Sequence, residues 1–226
     1  MSLSRREVIG TGVALASLRA EAAATDAGSA LVNPPTARAC TDRMPEIPAV
    51  RQTEAQKKAS AEFYAGRKVA VFGPFVPLLR SPEVMLRAKA MGDYLRYQSS
   101  LPPKLNELTI LLTARAWTQN VEWAIHQPIA LKAGLAPELV AAVAEGRRPP
   151  KLDADEQLVL DFVNELLHNQ AVSDFTYAAA VRRFGEQGVI DLTSVCGYYT
   201  FLAMVLNVAR TPPSAHAPTL SPFICG

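Results

Sequence analysis

The chain has 226 residues, enough for one buried core, and 49% of them are hydrophobic, as expected for a globular domain. Its net charge of +2 at pH 7 is too small and too dispersed to indicate a nucleic-acid partner. No apolar run approaches the roughly 20 residues that a spanning helix needs, so we expect a soluble mature chain without membrane association.

Segment 1–24 is predicted to be an export signal. Residues 4–10, SRREVIG, resemble the twin-arginine motif, a weakly apolar stretch follows, and Ala22–Ala24 offers a small-residue cleavage site. This order predicts recognition by the twin-arginine export machinery, cleavage after residue 24, and a periplasmic or secreted protein. A basic N-terminus without a targeting role is the alternative.

Residues 25–50 contain four prolines and little periodicity, which predicts an extended arm on the protein surface or on a neighbouring subunit. From 51 to 210 the apolar spacing is helical, and the helix formers Ala and Leu dominate the apolar residues. We therefore predict an all-α domain over 51–210, followed by a proline-rich C-terminal tail over 211–226.

Capping residues and turn prolines divide this domain into eight predicted helices. Their spans are about 53–68, 84–97, 101–117, 121–133, 137–146, 153–168, 173–184 and 187–210. The predicted N-caps are Thr53, Asn120, Asp153 and Ser173, and Gly134 supplies a left-handed stop. The face of the first helix that is predicted to enter the core carries Ala59, Phe63 and Ala70.

The three cysteines raise the question of a disulfide in an exported protein. Cys40 and Cys225 lie in proline-rich terminal segments, whereas Cys196 lies in an apolar helical run, so a bridge between Cys40 and Cys225 is the most natural pairing. Three free thiols are the alternative, because the sequence does not give the required Cα separation.

The region from 101 to 134 carries the residues best suited to chemistry. Glu122 and His126 are four residues apart, which on a helix leaves them about 40° apart in azimuth, on one face. Gln119 points the same way, and Trp123 flanks His126, where it can shield the site from water. Polar groups in an apolar segment are costly unless they are paired or used. This pair is therefore the candidate acid–base site, with an ordinary surface or interface pair as the alternative.

Glu107 lies one helix earlier, with Arg115 two turns beyond it. The break at 118–120 lets the two helices fold against each other, so we expect Glu107 to approach the acid–base pair. The alternative for Glu107 is a solvated side chain paired with Lys104. A divalent metal held by the three side chains is disfavoured, because one imidazole and two carboxylates match no recognisable metal motif here.

Three features outside this region are expected to have mainly structural roles. Tyr198 and Tyr199 follow Gly197 on the last apolar helix, where one tyrosine is expected to face the core and the other, taken as Tyr198, to line a pocket. His168 ends a helix, where the dipole favours a positive charge. Residues 147–150, RRPP, are interpreted as a solvated basic turn.

Four segments together resemble the carboxymuconolactone decarboxylase family, which includes the alkylhydroperoxidase AhpD type. They are LPPKLNELTILL at 101–112, EWAIHQP at 122–128, AGL at 133–135 and GYY at 197–199. The resemblance spans about 45–210. It implies an AhpD-like helical bundle that forms a homo-oligomer, commonly a trimer or hexamer, with the site near a subunit interface.

AhpD-type members carry a Glu, a Cys-x-x-Cys and a His, and these positions fall here on Glu107, Gln119, Glu122 and His126. Neither Gln119 nor Glu122 can form a thiolate or a disulfide. The resemblance therefore implies the cofactor-free proton-transfer chemistry of the family rather than its thiol chemistry. An AhpD-like peroxidase that uses other cysteines is one alternative, and a non-catalytic helical assembly module is another.

The resemblance implies a lyase or isomerase that acts on a small carboxylated or lactone substrate, and the residues are expected to have the following roles in it. His126 exchanges a proton at carbon, Glu122 orients its ring, and Glu107 is a second acid or hydrogen-bond partner. Glu122 is expected to be ionised, because the positive end of its helix favours the carboxylate. No metal or cofactor is expected. The predicted substrate-binding residues are Arg115, for a carboxylate, and Gln119, Trp123 and Tyr198.

Overall fold

The computed structural model describes residues 41–220, and the described residues form helices without any β-strand. The α-helices are α1 (Glu54–Arg67), α2 (Phe75–Leu78), α3 (Pro82–Tyr97), α4 (Pro103–Ala116), α5 (Asn120–Lys132), α6 (Pro137–Ala144), α7 (Ala154–Asn164) and α8 (Asp174–Ala209). A 3₁₀ turn, Ala49–Arg51, precedes them, and a π-helical turn, Glu165–Asn169, extends α7. The all-α fold class predicted from the sequence is confirmed.

Helix α1 begins as its sequence predicts. The Thr53 hydroxyl accepts a hydrogen bond from the Gln56 backbone N–H, and the Gln56 side chain accepts one from the Thr53 N–H, which completes a capping box. Ala59 and Phe63 are buried against α3, as expected. Ala70 is exposed and follows the end of the helix, so its predicted place on the core face is wrong.

Helix α4 forms the centre of the bundle, packed against α5, α7 and α8. Every residue from Leu105 to Arg115 is buried, which is the pattern of a helix surrounded by others. Three of its buried polar side chains donate hydrogen bonds to backbone carbonyls. Thr109 and Thr113 each donate to the carbonyl four residues earlier, and the Asn106 amide donates to the Leu95 carbonyl of α3.

The N-cap of α5 differs from the prediction by one residue. Gln119, not Asn120, is the cap, and its side-chain oxygen accepts a hydrogen bond from the Val121 N–H. The Asn120 side chain instead accepts the N–H of Leu220, at 2.7 Å, so it anchors the C-terminal segment. Gly134 has a φ of 99°, which confirms the predicted left-handed stop.

The last two predicted helices form α8, which bends at Gly185. This residue has φ 72° and ψ 172°, a conformation that favours glycine and interrupts the helical geometry near the predicted boundary. Ser173 caps the first part, as predicted, by accepting the Thr176 N–H. The second part contributes Leu192, Val195 and other residues to the core.

By length and composition, α8 is the helix among the described residues that could cross a membrane. The expectation that no apolar run is long enough is therefore wrong. The helix is largely buried inside the bundle, however, and the core helix of a soluble protein meets the same criterion, so this is a weak indication.

The described parts of the two terminal segments lie against the helices. The Arg43 N–H donates to the Ala209 carbonyl at 2.7 Å, and Leu220 is buried in the core. The predicted signal segment 1–24 and both cysteines of the predicted disulfide, Cys40 and Cys225, lie outside the described residues.

Candidate active site

Three helices bring an acid, an imidazole and a phenol together. Glu107 comes from α4, His126 from α5 and Tyr199 from α8, and all three are buried. The distance from His126 Nδ1 to Glu107 Oε2 is 2.8 Å, and from His126 Nε2 to the Tyr199 hydroxyl oxygen it is 3.2 Å. The approach of Glu107 to the α5 face, which the helix break suggested, is present in the structure.

The partners of His126 determine the position of its proton. A carboxylate can only accept, so His126 Nδ1–H donates to Glu107. Nε2 then lacks a proton and accepts the hydrogen bond that the Tyr199 hydroxyl donates. This arrangement leaves Nε2 as the basic atom of the imidazole, and it places a negative charge where it would stabilise an imidazolium ion.

Glu122 lies beside this chain of hydrogen bonds. Helical spacing places it on the face of His126, and Glu122 Oε2 is 3.7 Å from His126 Nε2, too far for a hydrogen bond. Its other oxygen, Oε1, is buried and makes no hydrogen bond within the described residues. Glu107, and not Glu122 as predicted, therefore makes the contact that orients the His126 ring.

Burial raises the pKa of Glu122 above its ordinary value of 4.5, and the nearby Glu107 raises it further, while His126 and Arg96 act in the opposite direction. Glu122 does lie in the first turn of α5. The loss of hydration therefore acts against the carboxylate form of Glu122, the opposite direction to the effect predicted from the helix end. Burial also raises the pKa of Tyr199 well above 10, which keeps the phenol protonated.

A narrow crevice leads to these side chains. The residues that line it include Phe72, Pro74, Phe75, Arg96 and Leu202. Its cavity volume of about 20 Å³ is close to the space that one water molecule needs. A larger ligand therefore requires the side chains around the mouth to move.

Tyr198 lines the same crevice, as predicted, and its ring meets that of Tyr199 edge-on at 5.3 Å. Gly92 of α3 has no side chain and leaves the space that the Tyr198 ring occupies. A Cβ atom at Gly92 would lie 2.3 Å from the Tyr198 hydroxyl oxygen, so a larger residue there would displace the ring.

The structure places the other predicted substrate-binding residues elsewhere. None of them is among the described residues that line the crevice. Gln119 caps α5 and donates to the Asn207 side chain, and Trp123 is buried in the core. Arg115 lies eight residues after Glu107, about 80° around the helix and roughly 12 Å along it, so it faces a different cavity.

Two residues of the site were missed by sequence reasoning. Tyr199, rather than its neighbour, contacts His126. Arg96 of α3 lines the crevice, and its Nε is buried without a hydrogen-bond partner in the described part of the chain. The sequence does not show which of the adjacent residues Tyr198 and Tyr199 faces His126. Arg96 lies near the end of its helix, where an arginine is usually exposed to solvent.

The remaining described cysteine does not contribute to the site. Cys196 is buried in α8 and is not among the described residues of the crevice. Burial raises the pKa of its thiol to about 12, so a thiolate is strongly disfavoured. Within residues 41–220, no group of three or more His, Cys, Asp or Glu side chains is arranged to hold a metal ion.

Comparisons with known proteins support the architecture. The chain is similar to the crystal structure of an uncharacterized peroxidase-related protein from Silicibacter sp. TM1040, with a TM-score of 0.62 and 15% sequence identity over 82% of this chain and 97% of that one. No family model matches the sequence, and no curated protein matches it. At this identity the likeness concerns the fold alone, which is an all-helical bundle consistent with the AhpD-like architecture.

Proposed function

We propose that the protein is a cofactor-free acid–base enzyme, a lyase or isomerase of the carboxymuconolactone decarboxylase type that acts on a small carboxylated or lactone substrate. The observation that carries the proposal is the buried Glu107–His126–Tyr199 chain beside Glu122, a carboxyl group whose pKa is raised. An imidazole base and a carboxylic acid side by side in a buried site are the groups that proton transfer at carbon requires.

The proton steps follow from this arrangement. Nε2 of His126 removes a proton from carbon next to a carbonyl, and Glu107 stabilises the imidazolium that results. The electron pair moves onto the carbonyl oxygen. The Tyr199 hydroxyl turns from Nε2 to this oxygen and donates its hydrogen bond to the developing charge. The carboxyl group of Glu122 then delivers a proton to carbon, and the imidazolium of His126 returns its proton to the Glu122 carboxylate, 3.7 Å away, which restores both groups. In a decarboxylation, the bond to the carboxylate breaks, carbon dioxide leaves, and Glu122 protonates the carbon that keeps the electron pair.

Arg96 replaces Arg115 as the proposed partner of a substrate carboxylate. It lines the crevice, and its buried Nε has a donor to offer. A guanidinium binds a carboxylate in a defined orientation, and burial strengthens this interaction relative to water.

The experiment that tests the activity is a screen of lactones, β-keto acids and unsaturated diacids. Carbon dioxide release and ultraviolet absorbance are followed with the purified protein and with the Glu122→Gln variant, which cannot donate a carboxyl proton. We expect turnover of at least one substrate by the native protein and about 10²-fold less by the variant. Equal rates for the two proteins would end the proposed role of Glu122.

The raised pKa of Glu122 also predicts an unusual dependence of stability on pH. Above pH 4.5 the unfolded chain releases a proton that the folded protein retains, so the free energy of unfolding falls as the pH rises toward the raised pKa. Glu122→Gln removes this loss. Urea denaturation should show little difference from the native protein at pH 4 and a variant more stable by about 0.5–2 kcal/mol at pH 8.

The matched control for this measurement is Glu62→Gln, an exposed acid on α1. It is expected to leave the pH dependence unchanged. If the free energy of unfolding of Glu122→Gln depends on pH in the same way as that of the native protein, the pKa of Glu122 is not raised in the folded state. The proton donor must then be another group.

A thiol peroxidase is the second candidate, because the similar structure is described as peroxidase-related. The inert surroundings of Cys196 leave Cys40 and Cys225 for such chemistry. The variant with Cys40→Ser, Cys196→Ala and Cys225→Ser distinguishes the candidates. We expect it to retain at least half of the acid–base activity and to have no peroxide-dependent activity above background. Loss of all turnover in the folded variant would favour the peroxidase.

The proposal extends to location and assembly. We propose that segment 1–24 directs export through the twin-arginine machinery, and that the mature protein is a periplasmic or secreted homo-oligomer, a trimer or hexamer. Fractionation of producing cells and light scattering of the purified protein test these two points separately.

A further inference from the structure

A second cavity lies between α4, α6 and α7. Its volume of about 250 Å³ exceeds the roughly 150 Å³ that holds a benzene molecule in an engineered protein core. Its described lining has no residue in common with the crevice of the candidate active site. The cavity is therefore a separate place where a small molecule can bind.

The charged groups of this cavity are positive. Arg115 lines it and is 5% exposed, and Arg147 and Arg148 line it as well. None of the described lining residues is an acid. The nearest acids are paired at the rim, where Glu145 accepts from Arg147, and Asp161 lies 3.9 Å from Arg148. Three guanidinium groups against these two carboxylates leave an excess of positive charge, which attracts an anion.

The position of Arg115 is fixed by the fold. Its Nη1 donates to the Ala144 carbonyl at 2.9 Å, and its Nη2 donates to the Thr118 hydroxyl at 3.1 Å. A buried guanidinium held in this way loses little conformational entropy when a ligand binds. Burial lowers the pKa of Arg115, but an arginine still keeps its charge.

Leu112, Ala116, Val143 and Leu160 form an apolar part of the wall. An inorganic anion would leave this surface without a partner, whereas an organic anion would cover it. A ligand with one charged end and an apolar body fits both parts of the cavity.

We propose that this cavity binds a small organic carboxylate, with the carboxylate at Arg115 and Arg148 and an apolar body of ring size against Leu112 and Leu160. The solvated turn predicted for residues 147–150 then forms one wall of a binding site. The proposal does not depend on the acid–base activity, because it uses none of the residues of the crevice.

The test is calorimetric titration of the protein with benzoate, compared with benzyl alcohol and with inorganic phosphate. We expect benzoate to bind at least about tenfold more tightly than benzyl alcohol, which has the same ring without the charge, and than phosphate, which has charge without the ring. Arg148→Gln is expected to weaken benzoate binding by about tenfold. Arg87→Gln, an exposed arginine of α3, is the matched control and should leave it unchanged.

Location is tested by nuclear magnetic resonance of the histidine rings. Benzoate should shift the ring signals of His168, which lines this cavity, and leave those of His126 unchanged. Arg115→Met is a second variant that removes the buried charge, and its fold is checked by circular dichroism. The proposal is overturned if benzyl alcohol binds as tightly as benzoate, if Arg148→Gln and Arg87→Gln have equal effects, or if His126 shifts instead of His168.

Discussion

His126→Gln is expected to lower the turnover rate by about 10²- to 10⁴-fold, the usual contribution of a general base. Glutamine can donate to Glu107 through its amide and accept from Tyr199 through its oxygen, so both hydrogen bonds of the histidine can be kept. Its amide cannot take a proton at neutral pH. Steady-state kinetics on a substrate from the screen measure the loss, and circular dichroism checks that the helices persist.

The control is His216→Asn. His216 lies in the C-terminal segment with a positive φ of 65°, which asparagine tolerates, and it is exposed. We expect native activity from this variant. A folded His126→Gln protein with undiminished turnover would show that the imidazole takes no part in the reaction.

Trp123→Ala is expected to reduce the free energy of unfolding by about 3–5 kcal/mol, the usual cost of deleting a large aromatic side chain from a core. Trp123 is 1% exposed and lies in the main hydrophobic cluster. For a domain of this size the loss corresponds to a decrease in Tm of roughly 6–20 °C. Thermal denaturation followed by circular dichroism measures it.

Phe175→Ala removes an aromatic side chain that is 83% exposed on the first turn of α8, and it should change the free energy of unfolding by less than about 0.5 kcal/mol. A similar small change for Trp123→Ala would mean that this side chain is not a core residue and would restore its predicted role in shielding the site.

The parts of the site that follow from helical periodicity could be predicted from the sequence. Glu122 and His126 share one face of α5 because they are four residues apart, and this holds whatever packs around them. The approach of Glu107 followed from one additional inference, that the break at 118–120 folds two helices together. These three side chains do converge in the structure.

The parts that depend on the packing of distant helices could not be predicted. Tyr199 and Arg96 reach the site only because α8 and α3 dock there, and no local signal gives that docking. Arg115 could have been excluded from the site by sequence alone, because its spacing from Glu107 places it on another side of α4. The direction of the pKa shift of Glu122 also depended on tertiary structure, because the shift comes from burial in the assembled bundle.

The relay of Glu107, His126 and Tyr199 is composed of side chains separated by 19 and 73 positions along the chain. In the unfolded polypeptide each of them is an ordinary hydrated group with no neighbour to alter its affinity for protons. The proposed acid–base activity therefore requires all three helices to be docked. A chain in which one of these helices has not docked contains all three side chains but lacks the hydrogen bonds between them.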